Sequence, residues 1–231
     1  MRSRGLSCEF VFIAVQTNLK SLLFFGNTLS MSAADQENKP EFRKSPHPLK
    51  NLLLRQLWSM IYIFLFRPSP RVLHGWRRFL LRCFGASVGK EVKIFPSVRV
   101  WAPWNLKLGD NCSLGDRVNC YCVTTVSVGA YTTVSQNSTL CAATHDPTQL
   151  HLPLITKEIS IGRHAWLCAE TFVMPGVSIG DGALIGVRST VFSDIPPWQT
   201  AFGSPCKVVR RREVADDQKV FIDVQEGKFN E

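Results

Sequence analysis

Several familiar signatures are missing from this chain of 231 residues. It has eight cysteines but no C-x-x-C pair, and none of the spacings that hold zinc. Reduced thiols used as small core residues account for them. Cys120 and Cys122, the one close pair, share a face of an extended strand. Long apolar runs are also missing. Residues 10–25 are interrupted by Gln16, Asn18 and Lys20 and lack a small-residue cleavage site, so they do not read as a secretory signal. Met31 opens a polar run of the kind that begins a chain, which makes it a second candidate start. The expected compartment is the cytoplasm. Residues 49–66 are too short of apolar side chains to span a bilayer, which takes about 20 in a row. No nucleic-acid module accompanies the formal charge of +9. That charge is local: residues 39–93 hold 12 Lys or Arg against Glu41 and Glu91, while the rest holds 15 basic and 16 acidic residues. A basic stripe mixed with aromatics fits an anionic membrane or a phosphate-bearing substrate better than nucleic acid.

Four segments follow. Residues 1–48 read as a poorly ordered extension, ending in a stretch rich in Pro and Lys. Residues 49–86 form a basic amphipathic helical segment. Residues 87–212 are the folded body, with a loop at 141–160, and 213–231 are a tail. Within the second segment a helix is expected over 49–66. It either packs on the body or lies in a membrane interface, with Trp58 and Tyr62 at headgroup level and Arg55 and Arg67 outside. Pro68 and Pro70 end it. A second helix is expected over 71–84, closed by Gly85.

From Val88 the period changes to six. One series is Val88, Ile94, Val100 and Leu106. After a slip of two it resumes as Leu108, Leu114, Cys120 and Val126, and after another as Val128, Val134 and Leu140. A longer interruption precedes Ile161, Leu167, Val173, Ile179, Ile185 and Val191. Neither a helix nor a simple strand repeats at six, so the body is a solenoid of short strands and corners, three units to a coil. The aliphatic residues point inward and stack. Gly and Asp after them, as in Leu108-Gly109-Asp110 and Ile179-Gly180-Asp181, read as corner residues.

The repeat lapses between Leu140 and Ile161. The intervening residues cannot fit one corner and must protrude, and a long loop on a compact repeat is a prime place for function. His145 stands at its start, with rigid scaffold behind it and its side chain free. His151 and His164 read as incidental. Asp146 is a candidate orienter of His145.

Four runs carry a resemblance: Ile161-Gly162-Arg163-His164-Ala165-Trp166, Pro175-Gly176-Val177-Ser178-Ile179-Gly180-Asp181-Gly182, Asp194-Ile195-Pro196-Pro197, and Gly203-Ser204-Pro205-Cys206-Lys207-Val208-Val209-Arg210. With Arg67-Pro68-Ser69-Pro70 and Trp101-Ala102-Pro103-Trp104-Asn105, they make the chain resemble the hexapeptide acyltransferases from about Phe66 to Arg211. Its nearest likeness is to the colanic acid biosynthesis acetyltransferases, with the galactoside and maltose O-acetyltransferases further off. The resemblance implies a mainly β fold, a left-handed parallel β-helix, assembled as a homotrimer with active sites between subunits. It implies acetyl-CoA as acyl donor, no metal, and a sugar or lipid-linked sugar as acceptor in exopolysaccharide or cell-surface glycan synthesis. His145 would be the general base of a direct transfer. Asn119, matched across a gap, and Trp166 would meet the acceptor. Lys207 and Arg210 would face the phosphates of coenzyme A, and Ala169 and Gly186 would line its pantetheine arm. Pro147 departs from the family, which has an aromatic or polar residue there, and leaves the acceptor side of the loop open. Three alternatives stand beside this reading: transfer to a sugar amine, a zinc lyase of the γ-carbonic anhydrase type using His145, His151 and His164, and a scaffold without activity.

Overall fold

An apolar residue at every sixth position needs a fold that turns each of them toward one axis, and the chain winds into a parallel β-solenoid to do so. The computed structural model describes residues 49–215; the expected extension, the Met31 start and most of the expected tail lie outside them. Short strands form three faces. The first face holds Ser87–Val88, Leu106–Leu108, Val126–Val128, Ile159–Ile161 and Ser178–Ile179. The second runs from Lys93–Ile94 through Ser113–Leu114, Thr133–Val134, Trp166–Leu167 and Leu184–Ile185, and ends in Gln199–Gly203 and Cys206–Arg211. The third holds Arg99–Val100, Asn119–Tyr121, Thr139–Cys141, Phe172–Val173 and Thr190–Val191. All seventeen residues of the six-residue series are buried. The two-residue slips have a plain cause. First-face strands such as Leu106–Leu108 are three residues long, and both ends point inward.

A second inward position lies two residues before each of these, and the sequence reading did not separate it. It is apolar in the first coils, at Val92, Val98, Cys112 and Val118. Further along it becomes small or hydroxylic: Thr132, Ser138, Ala165, Thr171, Ala183 and Ser189. The buried hydroxyls are satisfied by backbone, as burial of a polar group requires: Thr132, Ser138 and Ser189 by the next coil, and Thr171 by the Cys168 carbonyl of its own coil. Thr132 donates to the Gly162 carbonyl at 2.6 Å and accepts from the Ala165 N–H at 3.0 Å. The core thiols are inert for a similar reason: burial pushes Cys112 up to about 12 and Cys122 up to about 11.

The glycines after the inward aliphatics are not there for their corner geometry. Positive φ falls on other residues, among them Asn111, Arg117, Tyr131, His164 and Arg188. Gly129 is needed because the next coil passes against it: a Cβ there would sit 2.5 Å from the Gly162 carbonyl carbon. Asp does have a corner role, tying one coil to the next. Asp110 accepts the Lys90 N–H at 2.6 Å, and Asp181 the Arg163 N–H at 2.7 Å.

The first coil is the open edge of all three faces, and its carbonyls need donors. The helical segment supplies them. Helix α1, Leu49–Ile61, runs into a π-helical turn at Tyr62–Phe66, and α2 spans His74–Cys83, closed by Gly85 at φ +85°. Trp58 donates to the Val100 carbonyl at 2.7 Å. Arg77, wholly buried, donates to the carbonyls of Ile94, Pro70 and Arg71 at 2.6–2.8 Å and to the Ser69 hydroxyl. Arg78 reaches the Val92 carbonyl, and Arg82 those of Val88 and Gly89. Part of the basic stripe is therefore an edge cap. Trp58, 3% exposed, cannot sit at a lipid headgroup, because it is packed on the solenoid with Phe66 and Phe84. At the far end the antiparallel pair Gln199–Gly203 and Cys206–Arg211 covers the edge of the second face.

The close approach of coils sets a prediction. Gly129→Ala forces two backbones apart and lowers stability by about 3 kcal/mol or more, beyond ordinary overpacking. Gly75→Ala, in a helix with only Arg78 at 3.8 Å, raises it by about 0.5–1 kcal/mol. Denaturant unfolding of both variants checks the contrast.

Candidate active site

The interruption is a hairpin, not an irregular loop. A coil takes 20 residues where Thr133 pairs with Ser113, but 33 where Trp166 pairs with Thr133. The surplus leaves between the third and first faces as antiparallel strands Ala143–His145 and Leu154–Thr156. It is rooted at both ends: Ala142 N–H donates to the Tyr121 carbonyl, and Lys157 N–H to the Ala142 carbonyl, each at 3.1 Å.

His145 is exposed at the end of the outgoing strand. Its Nδ1 lies 2.6 Å from the carbonyl oxygen of Leu152. A carbonyl only accepts, so Nδ1 carries the proton and the neutral ring keeps its lone pair on Nε2. The partner is itself held in an unusual conformation: Leu152 has φ +48°, the left-handed region that a leucine rarely adopts. Asp146 does not orient the ring. Its carboxylate accepts from the N–H and hydroxyl of Thr148 and from Gln149, and these bonds hold it below the usual carboxylate range. Backbone supplies the support that sequence reading assigned to a side chain.

The other expected residues fall into two sets. Asn119 lies on the third face, one coil before Thr139 of the strand that feeds the hairpin. Tyr121 and Trp101 share that face, with rings 4.9 Å apart, and Arg55 of α1 stacks 3.6 Å above Trp101. Burial raises the Tyr121 phenol, and Cys141 beside it adds to the effect. This cluster was not read from the sequence as a unit, although Trp101, Tyr121 and Cys141 recur at the 20-residue coil spacing and so were readable as a column.

Trp166 lies on the second face, 44% exposed, and donates to the Ser135 hydroxyl at 3.0 Å. One coil below it, at Thr133, two grooves share Ser113 and Thr133. One of about 490 Å³ is lined by Arg71, Phe95, Asp116 and Arg117. The other, of about 750 Å³, is lined by His74, Arg78, Lys93 and Tyr131. Gly186 follows the second-face strand Leu184–Ile185, and a Cβ there would meet Phe202 at 2.7 Å, so its size is already required by the next strand. Ala169 sits at the corner between second and third faces, its carbonyl accepting from Arg188 N–H. Lys207 and Arg210 are exposed on Cys206–Arg211. Arg212, just beyond that strand, donates to the carbonyls of His164 and Gly182. The three histidines of the zinc alternative do not gather. His164 stacks on Tyr131 at 5.0 Å on the solenoid body, and among the described residues no three His, Cys, Asp or Glu side chains form a metal-holding group.

No family model matches the chain. Individual relatives do. Over 162 residues it is 44% identical to an Escherichia coli K12 protein that carries the name colanic acid biosynthesis acetyltransferase WcaF, covering 70% of this chain and 89% of that one. Over 151 residues it is 30% identical to the galactoside O-acetyltransferase of the same organism, covering 64% and 74% respectively. A solved galactoside acetyltransferase in complex with coenzyme A superposes with a TM-score of 0.67 at 27% identity, over 76% of this chain and 88% of that one.

The Leu152 contact generates a prediction about the ring itself. Proline cannot adopt φ +48°, so Leu152→Pro turns the carbonyl away. Imidazole ¹⁵N NMR should find Nδ1–H as the dominant neutral tautomer of His145 in the wild type and a mixture in the variant, with the melting temperature close to unchanged.

Proposed function

The chain belongs to the hexapeptide-repeat acyltransferases, and from that premise we propose that it moves an acetyl group from acetyl-CoA directly to a sugar hydroxyl, in exopolysaccharide or cell-surface glycan synthesis. One observation carries the reading: Nε2 of His145 is left free as an acceptor, on a hairpin braced at both ends, by a hydrogen bond that fixes the tautomer. A sugar hydroxyl is a weak nucleophile until a base removes its proton as the new bond forms. Nε2 takes that proton while the hydroxyl oxygen attacks the thioester carbonyl. The tetrahedral intermediate then collapses, the C–S bond breaks, and the coenzyme A thiolate leaves, taking the proton back from the imidazolium. Both substrates are held together, so no acyl-enzyme is required.

Lys207 and Arg210 are exposed cations near the end of the second face and suit the phosphates of the donor. Trp166 and Asn119 are assigned to the acceptor side of the cleft. The base leaves between the third and first faces, whereas Trp166, Gly186 and Lys207 belong to the second. A site using both sets joins the faces of neighbouring copies, which supports a homotrimer. No helix among the described residues is long and apolar enough to cross a membrane.

The test is mass spectrometry of an acceptor panel incubated with acetyl-CoA, holding free, nucleotide-linked and lipid-linked sugars together with matched amino sugars. His145→Ala is expected to reduce kcat by about 10²–10⁴, the usual share of a general base, with little change in KM for acetyl-CoA. Equal product from both proteins would remove the base. Lys207→Ala and Arg210→Ala are each expected to raise KM for acetyl-CoA about fivefold, equivalent to about 1 kcal/mol for an exposed ion pair, and to leave kcat near wild type; steady-state kinetics at saturating acceptor separates the two effects.

A further inference from the structure

The helix that caps the first coil is apolar on both sides, and among the described residues only one side is packed. Trp58, Ile61, Tyr62 and Phe66 pack on the solenoid. Leu53, Leu57, Met60 and Phe64 recur on the opposite side at helical spacing and are 69%, 49%, 57% and 69% exposed. A helix apolar all round is ordinarily buried all round. The unused side does not end with α1. The loop before α2 and the start of that helix add Val72, Leu73, Trp76 and Phe79, all exposed. The two elements are tied together, since Trp76 Nε1 donates to the Leu65 carbonyl at 3.0 Å. A continuous apolar surface of this kind marks a contact.

We propose that this face seats the enzyme on an anionic bilayer surface, with α1 lying in the plane of the interface. Charge decides between a bilayer and a second copy of the chain. Residues 49–86 contain seven Lys or Arg and not one Asp or Glu. Among the described residues only Asp116 and Glu91 pair with any of these arginines, at Arg71 and Arg78. The edge-capping bonds of Arg77 and Arg82 go to carbonyls and a hydroxyl, which leave their charge uncancelled. Two copies meeting face to face would set cations against cations, whereas anionic headgroups complement them. Apolar side chains in the acyl boundary with cations at the headgroups is the arrangement of an interfacial helix. The position also fits the chemistry. The hairpin of His145 springs from the third coil, while α1 docks on the first, and coils stack about 4.8 Å apart, so the root of the hairpin lies about 10 Å above the docking coil. Binding does not depend on the transfer reading.

Full-length protein is floated with vesicles of phosphatidylcholine alone or with roughly a third phosphatidylglycerol. The wild type is expected to float with the anionic vesicles, less so at high salt, and to stay at the bottom with the neutral ones. Leu57→Ser combined with Phe64→Ser should weaken binding about tenfold or more, with melting temperature and sedimentation coefficient unchanged. Leu53→Ser alone, the milder change, should weaken it in the same direction. Three results would overturn the proposal: no flotation of the wild type, full binding by both serine variants, or dissociation of the assembly in the variants, which would make this face a contact between copies.

Discussion

Everything in this structure depends on coils being able to lie directly on one another. The backbone of one coil donates to the next along all three faces, and the approach is so close that Gly109, Gly129 and Gly162 have no room for a Cβ. Side chains then follow. Directly inward positions stack in columns and must be apolar. The neighbouring inward position is valine or cysteine in the first coils and becomes small or hydroxylic further along. Its hydroxyls are tolerated because the adjacent coil presents the groups that satisfy them. Regular spacing is thus enforced by backbone contact, and the six-residue pattern is its imprint.

A stack built this way has two open ends, and both are closed by non-repeating sequence. At the far end the chain folds back as an antiparallel strand. At the near end side chains do the work, with one tryptophan and three arginines donating to five carbonyls of the first coil. Arginine suits this task because it offers several donors in a planar fork and keeps its charge. Burial lowers the pKa of Arg77, yet an arginine has far to fall before it loses its proton. The same choice leaves that end of the molecule strongly cationic, because carbonyls satisfy hydrogen bonds without cancelling charge.

These rules explain what the sequence could and could not disclose. The inward columns were legible from Val88 to Val191 because each position has one strict requirement. The hydroxylic positions were not, since Thr132 or Ser138 looks like surface residues until a neighbouring coil is in place. The orientation of α1 was hidden for a different reason: apolar residues lie on two sides of the helix, so the pattern alone does not choose Trp58 for the core over Leu57. The hairpin read as a loop because its strands are three residues long. The brace of His145 had no signal at all, as it comes from a backbone carbonyl, and the acidic residue next to the histidine offered a false one. Trp101, Tyr121 and Cys141 lay within reach of a reading that compared outward positions across coils; Arg55, on α1, did not.

The interruption shows how a rigid repeat can carry a site without losing its own order. Register resumes after the hairpin, since Leu167 pairs with Val134 as Val134 does with Leu114. The insertion therefore costs the core nothing, and the strain it needs is kept outside, at Leu152. His145 is only four residues beyond Cys141, the last residue of a third-face strand, so the scaffold fixes its root while solvent reaches its ring. Residues proposed to hold the donor are on another face, several coils along. A repeat of this kind cannot bend to bring the two together. On the roles proposed for His145 and Lys207, the partner face would be the second face of another copy, so the proposal of an assembly and the proposal of the base stand or fall together.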